Sequence, residues 1–283
     1  MGVVLVVTKT PLARRLAQAE RERLDASGVL PTQVLIEAEA RQDETLGTVR
    51  AALAGCTVRE RRVDQLQAAD ADGIDLVVTV GGDGTVFSAN TLPTTVPYLT
   101  VNSDPERSVG HFTRFTAATI ASGVACWESG SAASEELPRL VIRVDGAEHR
   151  ILNDCLFAHS NPAVLCRYVL EADGQREYQR SSGVWISTAA GSTAAIRSAG
   201  AEPVPGNPPA LLYRVREPYQ GRGAACLLNC TQLPPRGLRL VPSIPGMALY
   251  LDGPNVTVAV APGIPVDIAD AAQPLRLITP RVG

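Results

Sequence analysis

The segment of the chain with the clearest chemical potential is Asp75–Ala89, which reads DLVVTVGGDGTVFSA. An apolar run ends at Gly81-Gly82-Asp83-Gly84-Thr85, and we expect a short helix after it. Glycines let a backbone turn tightly and approach a ligand without a Cβ in the way. N–H groups exposed at such a turn favour an anion, typically a phosphate. A carboxylate would repel phosphate, so Asp83 fits best if it faces a hydroxyl that receives a phosphoryl group. The alternative is a plain glycine-rich β-turn.

Composition limits the classes of protein to which this turn can belong. The chain has 283 residues, of which 45% are hydrophobic and 19% charged, and this predicts a globular protein of about two domains. A net charge of −3 and only 4% aromatic residues argue against nonspecific nucleic-acid binding. Lys9 is the only lysine among 26 basic residues and follows a threonine, which excludes a Walker A loop.

Cysteines and apolar segments indicate the compartment. Six cysteines in so long a chain are no disulfide framework, and we expect reduced thiols. Cys155, His159 and Cys166 could be metal ligands, but their spacing matches no standard zinc pattern. The first residues, MGVVLVVTKT, lack the basic region of a signal peptide, and no segment has the ~20 apolar residues of a membrane helix. We therefore expect a cytoplasmic protein.

The elements that must position the turn alternate in the first third of the chain. Strands are predicted at Val3–Val7, Thr57–Val63, Asp75–Val80 and Pro97–Asn102, and helices over Leu12–Leu24, Glu44–Leu53 and Asp64–Ala71. Continuous apolar strands separated by helices indicate a parallel sheet that is covered on both faces.

After about residue 135 the pattern is typical of an all-β sandwich or barrel, because short β-type runs are separated by turn signals. The runs are Leu140–Val144, Ile151–Phe157, Leu165–Leu170, Val184–Thr188, Ala224–Asn229, Ala248–Leu251 and Val256–Val260, and the turns are Asp145-Gly146, Asp173-Gly174 and Asp252-Gly253. One helical stretch, Ser192–Ser198, interrupts them, and Pro203–Pro209 reads as a surface loop.

Four further segments support a resemblance to a known family. The GGDGT turn is shared by NAD kinases, diacylglycerol and sphingosine kinases and, in a looser form, phosphofructokinases. Asn102–Thr113 (NSDPERSVGHFT), Asn153-Asp154, Ser181–Ala201 (SSGVWISTAAGSTAAIRSAGA) and Leu211–Pro218 (LLYRVREP) narrow the match. Together they resemble the NAD kinase family, closest to its mitochondrial-type branch, over residues 1–270.

This resemblance implies a fold and a division into domains. It implies a Rossmann-like parallel α/β domain over residues 1–130 and a β-sandwich domain over residues 131–267, which binds NAD and forms a homodimer or higher homo-oligomer. Segment 268–283 could return to the first domain. The active site would lie in the cleft between the two domains.

The resemblance also implies residue roles for ATP and NAD, with Mg²⁺ arriving with the ATP. Asp83 would be catalytic, positioning or deprotonating the adenosine 2′-hydroxyl of NAD in a solvent-filled cleft. The NAD-binding residues would be Asp83, Gly84, Asn153, Asp154, Thr188, Gly191, Ser192, Thr193, Ala194 and Ser198. The donor phosphates would be bound by Gly81, Gly82, Thr85, Asn102 and Arg107. No residue is assigned to a metal, and neither nucleic acid nor a membrane is expected as a partner.

Several of these residues also have plain structural interpretations. Asn153-Asp154 could be an ordinary turn, Gly191-Ser192-Thr193 a helix cap, and Arg107 a solvated charge. We expect His111 and His159 to be structural, and Trp127 and Trp185 to lie in the core.

Three departures from the family pattern keep two other functions open. Asp154 replaces a Glu, Ser182 replaces an Asp, and Ala195 replaces a Tyr. A non-catalytic NAD(P)-binding sensor would explain these changes, although the intact Gly81–Thr85 turn argues against it. A lipid kinase of the diacylglycerol or sphingosine type shares the GGDGT turn, but should lack the GSTAAIRSAG segment.

Overall fold

A computed structural model describes residues 2–222, 230–233, 237–254 and 256–280, with backbone only at 230–233. The chain divides into two compact units, one of Met1–Glu136 with Arg276–Gly283 and one of Leu137–Leu275. No helix in the described residues is both long and apolar enough to cross a membrane.

The amino-terminal unit is built around a seven-stranded sheet. Its elements in chain order are β1 (Val3–Thr8), α1 (Leu12–Arg15), α2 (Gln18–Ala26), α3 (Thr32–Ala52), β2 (Thr57–Arg62), two 3₁₀ turns (Val63–Gln65 and Ala68–Ala71), β3 (Leu76–Gly81), α4 (Asp83–Asn90), β4 (Tyr98–Asn102), β5 (Phe115–Thr116), α5 (Ile120–Glu128) and β6 (Ala133–Leu137). The last strand among the described residues, β19 (Leu275–Thr279), pairs with β4 in parallel. The order of strands in the sheet is β2-β1-β3-β4-β19-β6, with β5 also paired to β4.

The central strands of this sheet form because their side chains are apolar on both faces. Strand β3 is buried at every position, and β1 at all positions after Val3. Their parallel pairing joins Thr8 to Val80, so the carboxyl ends of the two strands lie side by side. Ligands of open α/β sheets bind at this edge.

Three predicted helices differ from the structure. The segment Leu12–Leu24 is two helices, because Leu16 is extended and a new helix starts where Glu20 accepts the N–H of Ala17 at 2.8 Å. Helix α3 begins at Thr32 rather than Glu44. The predicted helix Asp64–Ala71 is replaced by the two 3₁₀ turns.

The carboxy-terminal unit contains two six-stranded antiparallel sheets, and this confirms the predicted combination of a parallel α/β part with an all-β part. Its strands are β7 (Leu140–Val144), β8 (Ala147–Ile151), β9 (Asp154–His159), β10 (Cys166–Ala172), β11 (Gln175–Ser181), β12 (Gly183–Ser187), β13 (Leu211–Arg216), β14 (Cys230–Leu233), β15 (Leu238–Pro242), β16 (Met247–Leu251), β17 (Val256–Val260) and β18 (Val266–Asp270). A 3₁₀ turn (Ala190–Thr193) and α6 (Ala195–Ser198) follow β12. The strand predicted at Ala224–Asn229 lies outside the described residues.

Alternation of side chains along these strands builds the sandwich core. The inward residues of both sheets form one buried cluster that includes Phe157, Tyr168, Val184 and Ile186. The turns at Asp145-Gly146 and Asp173-Gly174 have positive φ at both residues, as two-residue hairpin loops require.

Of the two tryptophans that were expected in a core, the structure places one against a core and the other on the outer face of a sheet. Trp127 packs against the core of the amino-terminal unit. Trp185 does not belong to the sandwich core, because its strand neighbours Val184 and Ile186 occupy the inward positions and leave its ring half-buried on the outer face.

Candidate active site

The Gly81–Thr85 turn joins β3 to α4, and its close packing explains the glycine at its start. A Cβ on Gly81 would lie 2.2 Å from the Oγ1 atom of Thr85, which is itself buried. Gly82 is the extended residue that precedes α4. A Cβ on Gly84 would meet no atom within 4 Å. Packing within the turn therefore leaves no room for a side chain at Gly81, whereas the backbone of Gly84 is open to a ligand.

Asp83 is the first residue of α4, and its carboxylate holds a neighbouring loop. Its Oδ2 atom accepts the N–H of His111 at 2.9 Å, and Oδ1 accepts the N–H of Phe112 at 2.8 Å. Both oxygens therefore bind backbone, and the residue as a whole is half-buried. A carboxylate has about four acceptor sites, so each oxygen retains a lone pair for a substrate hydroxyl.

Asn102 ends β4 and folds the same loop back on itself. Its Nδ2 atom donates to the carbonyl of Ser108 at 3.1 Å, and its Oδ1 atom accepts the N–H of Asp104 at 3.0 Å. The N–H of Ser103 donates to the carbonyl of Gly81 at 3.1 Å and thereby ties this loop to the GGDGT turn. The Asn102 side chain is 6% exposed and acts here as an organiser of the loop.

Arg107 lies in this loop, but forms an ion pair with a residue of α3. Its Nη2 atom lies 2.7 Å from the Oε2 atom of Glu37, and both side chains are about 40% exposed. Such exposed ion pairs contribute little to stability. Glu37 therefore holds the Arg107 guanidinium only weakly.

In the carboxy-terminal unit, Asn153 and Asp154 form the corner between β8 and β9, and Asp252 fixes that corner. The Asp252 carboxylate accepts N–H groups from Leu152 at 2.8 Å, Asn153 at 2.7 Å and Asp154 at 3.2 Å. The N–H of Asp252 in turn donates to the carbonyl of Asp154 at 2.8 Å. The corner is thus a fixed structure, which an ordinary surface turn would not be.

The two carboxylates of this corner, those of Asp154 and Asp252, are buried. Burial raises the pKa of Asp154 to about 6, although the N–H of Ala195 opposes the shift. Burial also raises the pKa of Asp252 to about 7, against its backbone N–H donors and with a further increase from the Asp154 charge. The Nδ2 atom of Asn153 lies 3.5 Å from Oδ2 of Asp154, so the side chains of both residues are adjacent.

Thr188 and Gly191 hold the 3₁₀ turn after β12 against this corner. The hydroxyl of Thr188 donates to the carbonyl of Leu152 at 2.7 Å and accepts the N–H of Gly191 at 3.1 Å. A Cβ on Gly191 would lie 2.1 Å from the carbonyl oxygen of Asn153. Thr188 is 2% exposed, and its hydroxyl therefore positions backbone in this fold.

The remaining predicted residues of this segment have different surroundings. Ser192 is fully buried, and its Oγ atom accepts the N–H of Val204 at 3.0 Å. Thr193 and Ser198 are exposed, and Ala194 is half-buried. Neither the 3₁₀ turn nor α6 has a side-chain cap, so the interpretation of Gly191-Ser192-Thr193 as a helix cap is wrong.

The predicted site residues therefore form two groups. Gly81–Thr85, Asn102 and Arg107 belong to the amino-terminal unit, and Asn153, Asp154, Thr188 and residues 191–198 belong to the carboxy-terminal unit. Sequence reasoning missed Asp252, whose Asp-Gly pair was interpreted only as a turn signal. The one signal that could have found it is an Asp directly after the apolar strand Ala248–Leu251.

The residues considered as metal ligands make ordinary contacts. The Sγ atom of Cys166 accepts the N–H of His159 at 3.3 Å, and Cys155 is a buried free thiol. Within the part of the chain that the structure describes, no group of three or more His, Cys, Asp or Glu side chains could hold a metal ion. Cys226 and the side chain of Cys230 lie outside the described residues.

Comparison with known proteins places this geometry in context. Residues 3–125 match the family model described as ATP-NAD kinase N-terminal domain. The chain is 33% identical over 232 residues to a probable NADH kinase of Oryza sativa subsp. japonica, covering 73% of this chain and 71% of that protein. It is 31% identical over 236 residues to an NADH kinase of Arabidopsis thaliana, covering 72% of each.

The fold is also similar to that of a solved NAD kinase structure. A crystal structure of an NAD kinase from Archaeoglobus fulgidus in complex with ATP superposes with a TM-score of 0.67 at 17% identity, covering 98% of this chain and 93% of that one.

Proposed function

Because the chain belongs to the NAD kinase family, we propose that it transfers the terminal phosphoryl group of ATP to the adenosine 2′-hydroxyl of NAD, giving NADP. The observation that carries this proposal is the Gly81–Thr85 turn, whose carboxylate is held at the carboxyl end of β3. The family membership sets aside the lipid kinase alternative.

The proposed role of Asp83 is to orient the attacking hydroxyl and to accept its proton. Phosphoryl transfer passes through a loose transition state, so positioning and charge neutralisation carry most of the catalysis. The N–H groups of His111 and Phe112 support this role, because they fix the carboxylate before the substrate binds. Asp83 does not need to be a strong base, since it can accept the proton late in the reaction.

We assign the acceptor to the corner of the carboxy-terminal unit. Asn153 and Asp154 would bind ribose hydroxyls, since carboxylate and amide oxygens accept hydrogen bonds from sugars. Thr188 and Gly191 would hold the adenine pocket in shape, and Ser192, Thr193, Ala194 and Ser198 would line or support it. The burial of Asp154 supports this assignment. Burial disfavours the ionised carboxylate, which is why its pKa is raised, and hydrogen bonds from ribose hydroxyls would stabilise that ionised form.

We assign the donor phosphates to the amino-terminal unit. The backbone N–H groups of Gly82 and Gly84 would bind phosphate oxygens, since the turn begins a helix. Thr85 would support the turn, because its own N–H donates to the carbonyl of Gly82 at 2.9 Å and its side chain is buried against Gly81. Asn102 would act by shaping the loop after β4, and Arg107 would exchange Glu37 for a phosphate. A planar guanidinium matches phosphate geometry well.

We propose that Mg²⁺ arrives with the nucleotide and is held largely by phosphate oxygens and water. In support, the described residues offer no group of three carboxylate, His or Cys side chains to bind it alone. When bound, the ion would neutralise phosphate charge.

We also propose a homodimer or higher homo-oligomer formed through the carboxy-terminal unit. Leu156 pairs in register with both Trp185 and Tyr250, and these three half-buried side chains form a row on the outer face of one sheet. Apolar rows on an outer sheet face favour association. Light scattering after gel filtration would measure the mass of the assembly.

The experiment that tests the function is incubation of the purified protein with ATP, Mg²⁺ and either NAD or NADH. NADH is included because both plant relatives carry the name NADH kinase. We expect NADP or NADPH, measured with an NADP-specific dehydrogenase. Binding of NAD without any product would instead indicate the non-catalytic sensor.

A further inference from the structure

Lys9, the single lysine of the chain, lies directly beside the GGDGT turn. It follows β1, whose last residue Thr8 is paired with Val80 of β3. Its Cδ atom lies 3.4 Å from the position that a Cβ on Gly81 would occupy. The lysine stem therefore packs against the backbone at the point where the turn begins.

Arg107 of the loop after β4 and Arg41 of α3, which binds Asp104 of that loop, are already paired. The Nε atom of Arg41 lies 2.9 Å from Oδ1 of Asp104, and Arg107 pairs with Glu37 at 2.7 Å. Among the described residues, no carboxylate oxygen lies within 4.0 Å of the Lys9 ammonium. Unlike Arg41 and Arg107, Lys9 thus has no ion-pair partner in the described part of the chain.

The surroundings of Lys9 favour an anion. Partial burial lowers the pKa of its ammonium. The negative charge of Asp104, which lies beyond ion-pair distance, raises that pKa by a smaller amount. A half-buried cation without a partner is unfavourable, and a bound anion would relieve this. A lysine also presents a compact charge on a flexible stem, which fits beside a closely packed turn where a planar guanidinium would need more room.

We propose that the Lys9 ammonium binds the β- and γ-phosphates of the donor nucleotide on the β1 side of the Gly81–Thr85 turn. There it neutralises negative charge during phosphoryl transfer. This inference rests on the proposed kinase activity, and it adds a substrate-contacting residue that the GGDGT motif does not include.

Because the chain has one lysine, the wild-type protein can be tested without any substitution. Brief acylation with an amine-specific reagent, followed by peptide mass spectrometry, reports the accessibility of the Lys9 side chain separately from that of the terminal amine. We expect MgATP to slow acylation of Lys9 at least tenfold and NAD to leave the rate within twofold. Absence of protection by MgATP, or equal protection by NAD, would overturn the proposal.

A variant pair tests the charge. Lys9→Met keeps the stem and removes the ammonium, and we expect ATP affinity by calorimetry to fall at least tenfold while NAD affinity stays within twofold. Lys9→Arg should recover part of the ATP affinity because it retains the charge. Arg23→Met, which removes one positive charge from the exposed face of α2, is the matched control and should bind ATP normally.

The outcomes separate this inference from the function on which it rests. If the wild type makes NADP and Lys9→Met binds ATP and turns over like it, the kinase function stands and the role of Lys9 is wrong. If the wild type makes no NADP while MgATP still protects Lys9, the function is wrong and the phosphate contact stands. If Lys9→Met does not fold, the acylation result decides.

Discussion

The Oδ1 atom of Asp83 lies 2.8 Å from the backbone nitrogen of Phe112, and this hydrogen bond joins the GGDGT turn to the loop after β4. The other carboxylate oxygen accepts the N–H of His111. One side chain therefore serves both the architecture of the loop and the proposed proton transfer, and a substitution there must be interpreted with two readouts.

Asp83→Asn should lower both the turnover rate and the stability. The amide keeps one acceptor oxygen, but it loses the negative charge and turns an NH₂ group toward a backbone N–H. We expect kcat for NADP formation to fall at least ~10²-fold, which is within the range that general bases contribute. We expect the free energy of unfolding to fall by ~1–3 kcal/mol, as for an unsatisfied hydrogen-bonding group. Steady-state kinetics and urea unfolding measure the two effects.

His111→Ala is the matched control, since it preserves the backbone N–H that binds Asp83. The imidazole packs edge-on against Phe112 with ring centroids 4.9 Å apart, so its loss removes packing alone. We expect this variant to retain activity. A wild-type rate in Asp83→Asn would show that Asp83 is not the base and that the turn only binds phosphate.

Gly84→Ala should separate ligand approach from folding. A Cβ at this position meets no protein atom within 4 Å, and alanine favours a helix by up to ~1 kcal/mol over glycine. We therefore expect an unchanged or higher unfolding free energy. If phosphates lie against this backbone, the added methyl group should raise the KM for ATP or NAD at least tenfold. Wild-type kinetics would show that no ligand approaches Gly84.

Gly81→Ala is the structural counterpart of that variant. Its methyl group would lie 2.2 Å from the Oγ1 atom of Thr85, so the turn must shift to accept it. We expect this protein to unfold at a lower urea concentration than the wild type. Comparison of the two alanine variants therefore distinguishes Gly81, a position that the packing of the turn closes, from Gly84, a position that is open to substrate.

How far the sequence predicts this fold depends on how strongly a segment repeats its pattern. Strands β1 and β3 were predictable because they are apolar at successive positions. The first half of α3 was not, because its buried residues Leu35 and Gln42 lie seven positions apart and one of them is polar. Trp185 was expected in the core, and only the register of its strand shows that it faces outward.

The candidate site was predictable where its signal is local. The turn at Gly81–Thr85 combines glycines, an acid and a strand end within a few residues. Asp252 has no such signal, since its partners Leu152 and Asn153 lie 100 and 99 positions away. The loop bonds of Asp83 were also missed, because they depend on where the chain returns 28 and 29 residues later.

Asn153→Ala should weaken the binding of NAD and leave the donor largely unaffected. If the Asn153 amide binds a buried ribose hydroxyl, its loss leaves that hydroxyl without a partner, and this costs ~1–3 kcal/mol of binding free energy. The corner itself should remain, because Asp252 binds the backbone of Asn153 rather than its side chain. Calorimetric titration with NAD and with MgATP measures both affinities. Equal weakening of the two would mean that the acceptor pocket lies elsewhere.

Because Asp154 and Asp252 are buried carboxyl groups, we expect the free energy of unfolding to fall as pH rises. The pKa of Asp154 is about 6 and that of Asp252 about 7 in the folded protein, both above the ordinary value of 3.8. The folded state therefore binds these protons more tightly than the unfolded state. Their contribution to stability is fully present below pH ~4 and is lost as pH rises through 6 to 7. Urea unfolding at intervals from pH 4.5 to 8 measures the trend.

Asp154→Asn isolates this effect from the other carboxylates of the protein. The amide has no charge to bury, so the unfolding free energy of the variant relative to the wild type should increase from pH 5 to pH 8. The corresponding difference for Asn153→Ala, which exchanges one neutral residue for another, should not change with pH. A constant difference for Asp154→Asn would contradict the raised pKa.

The same titration should act on NAD binding in the opposite sense. Only the ionised Asp154 accepts two ribose hydroxyls at full strength, because charged acceptors form the stronger hydrogen bonds. We therefore expect the Kd for NAD to rise as pH falls below ~6 in the wild type, and this dependence to be absent in Asp154→Asn, which should bind NAD weakly at every pH. Between pH 5 and 8 the protein would thus lose stability and gain affinity through one proton. If the affinity for NAD does not change across this range while stability does, Asp154 is buried for a structural reason, and the ribose is bound by other groups.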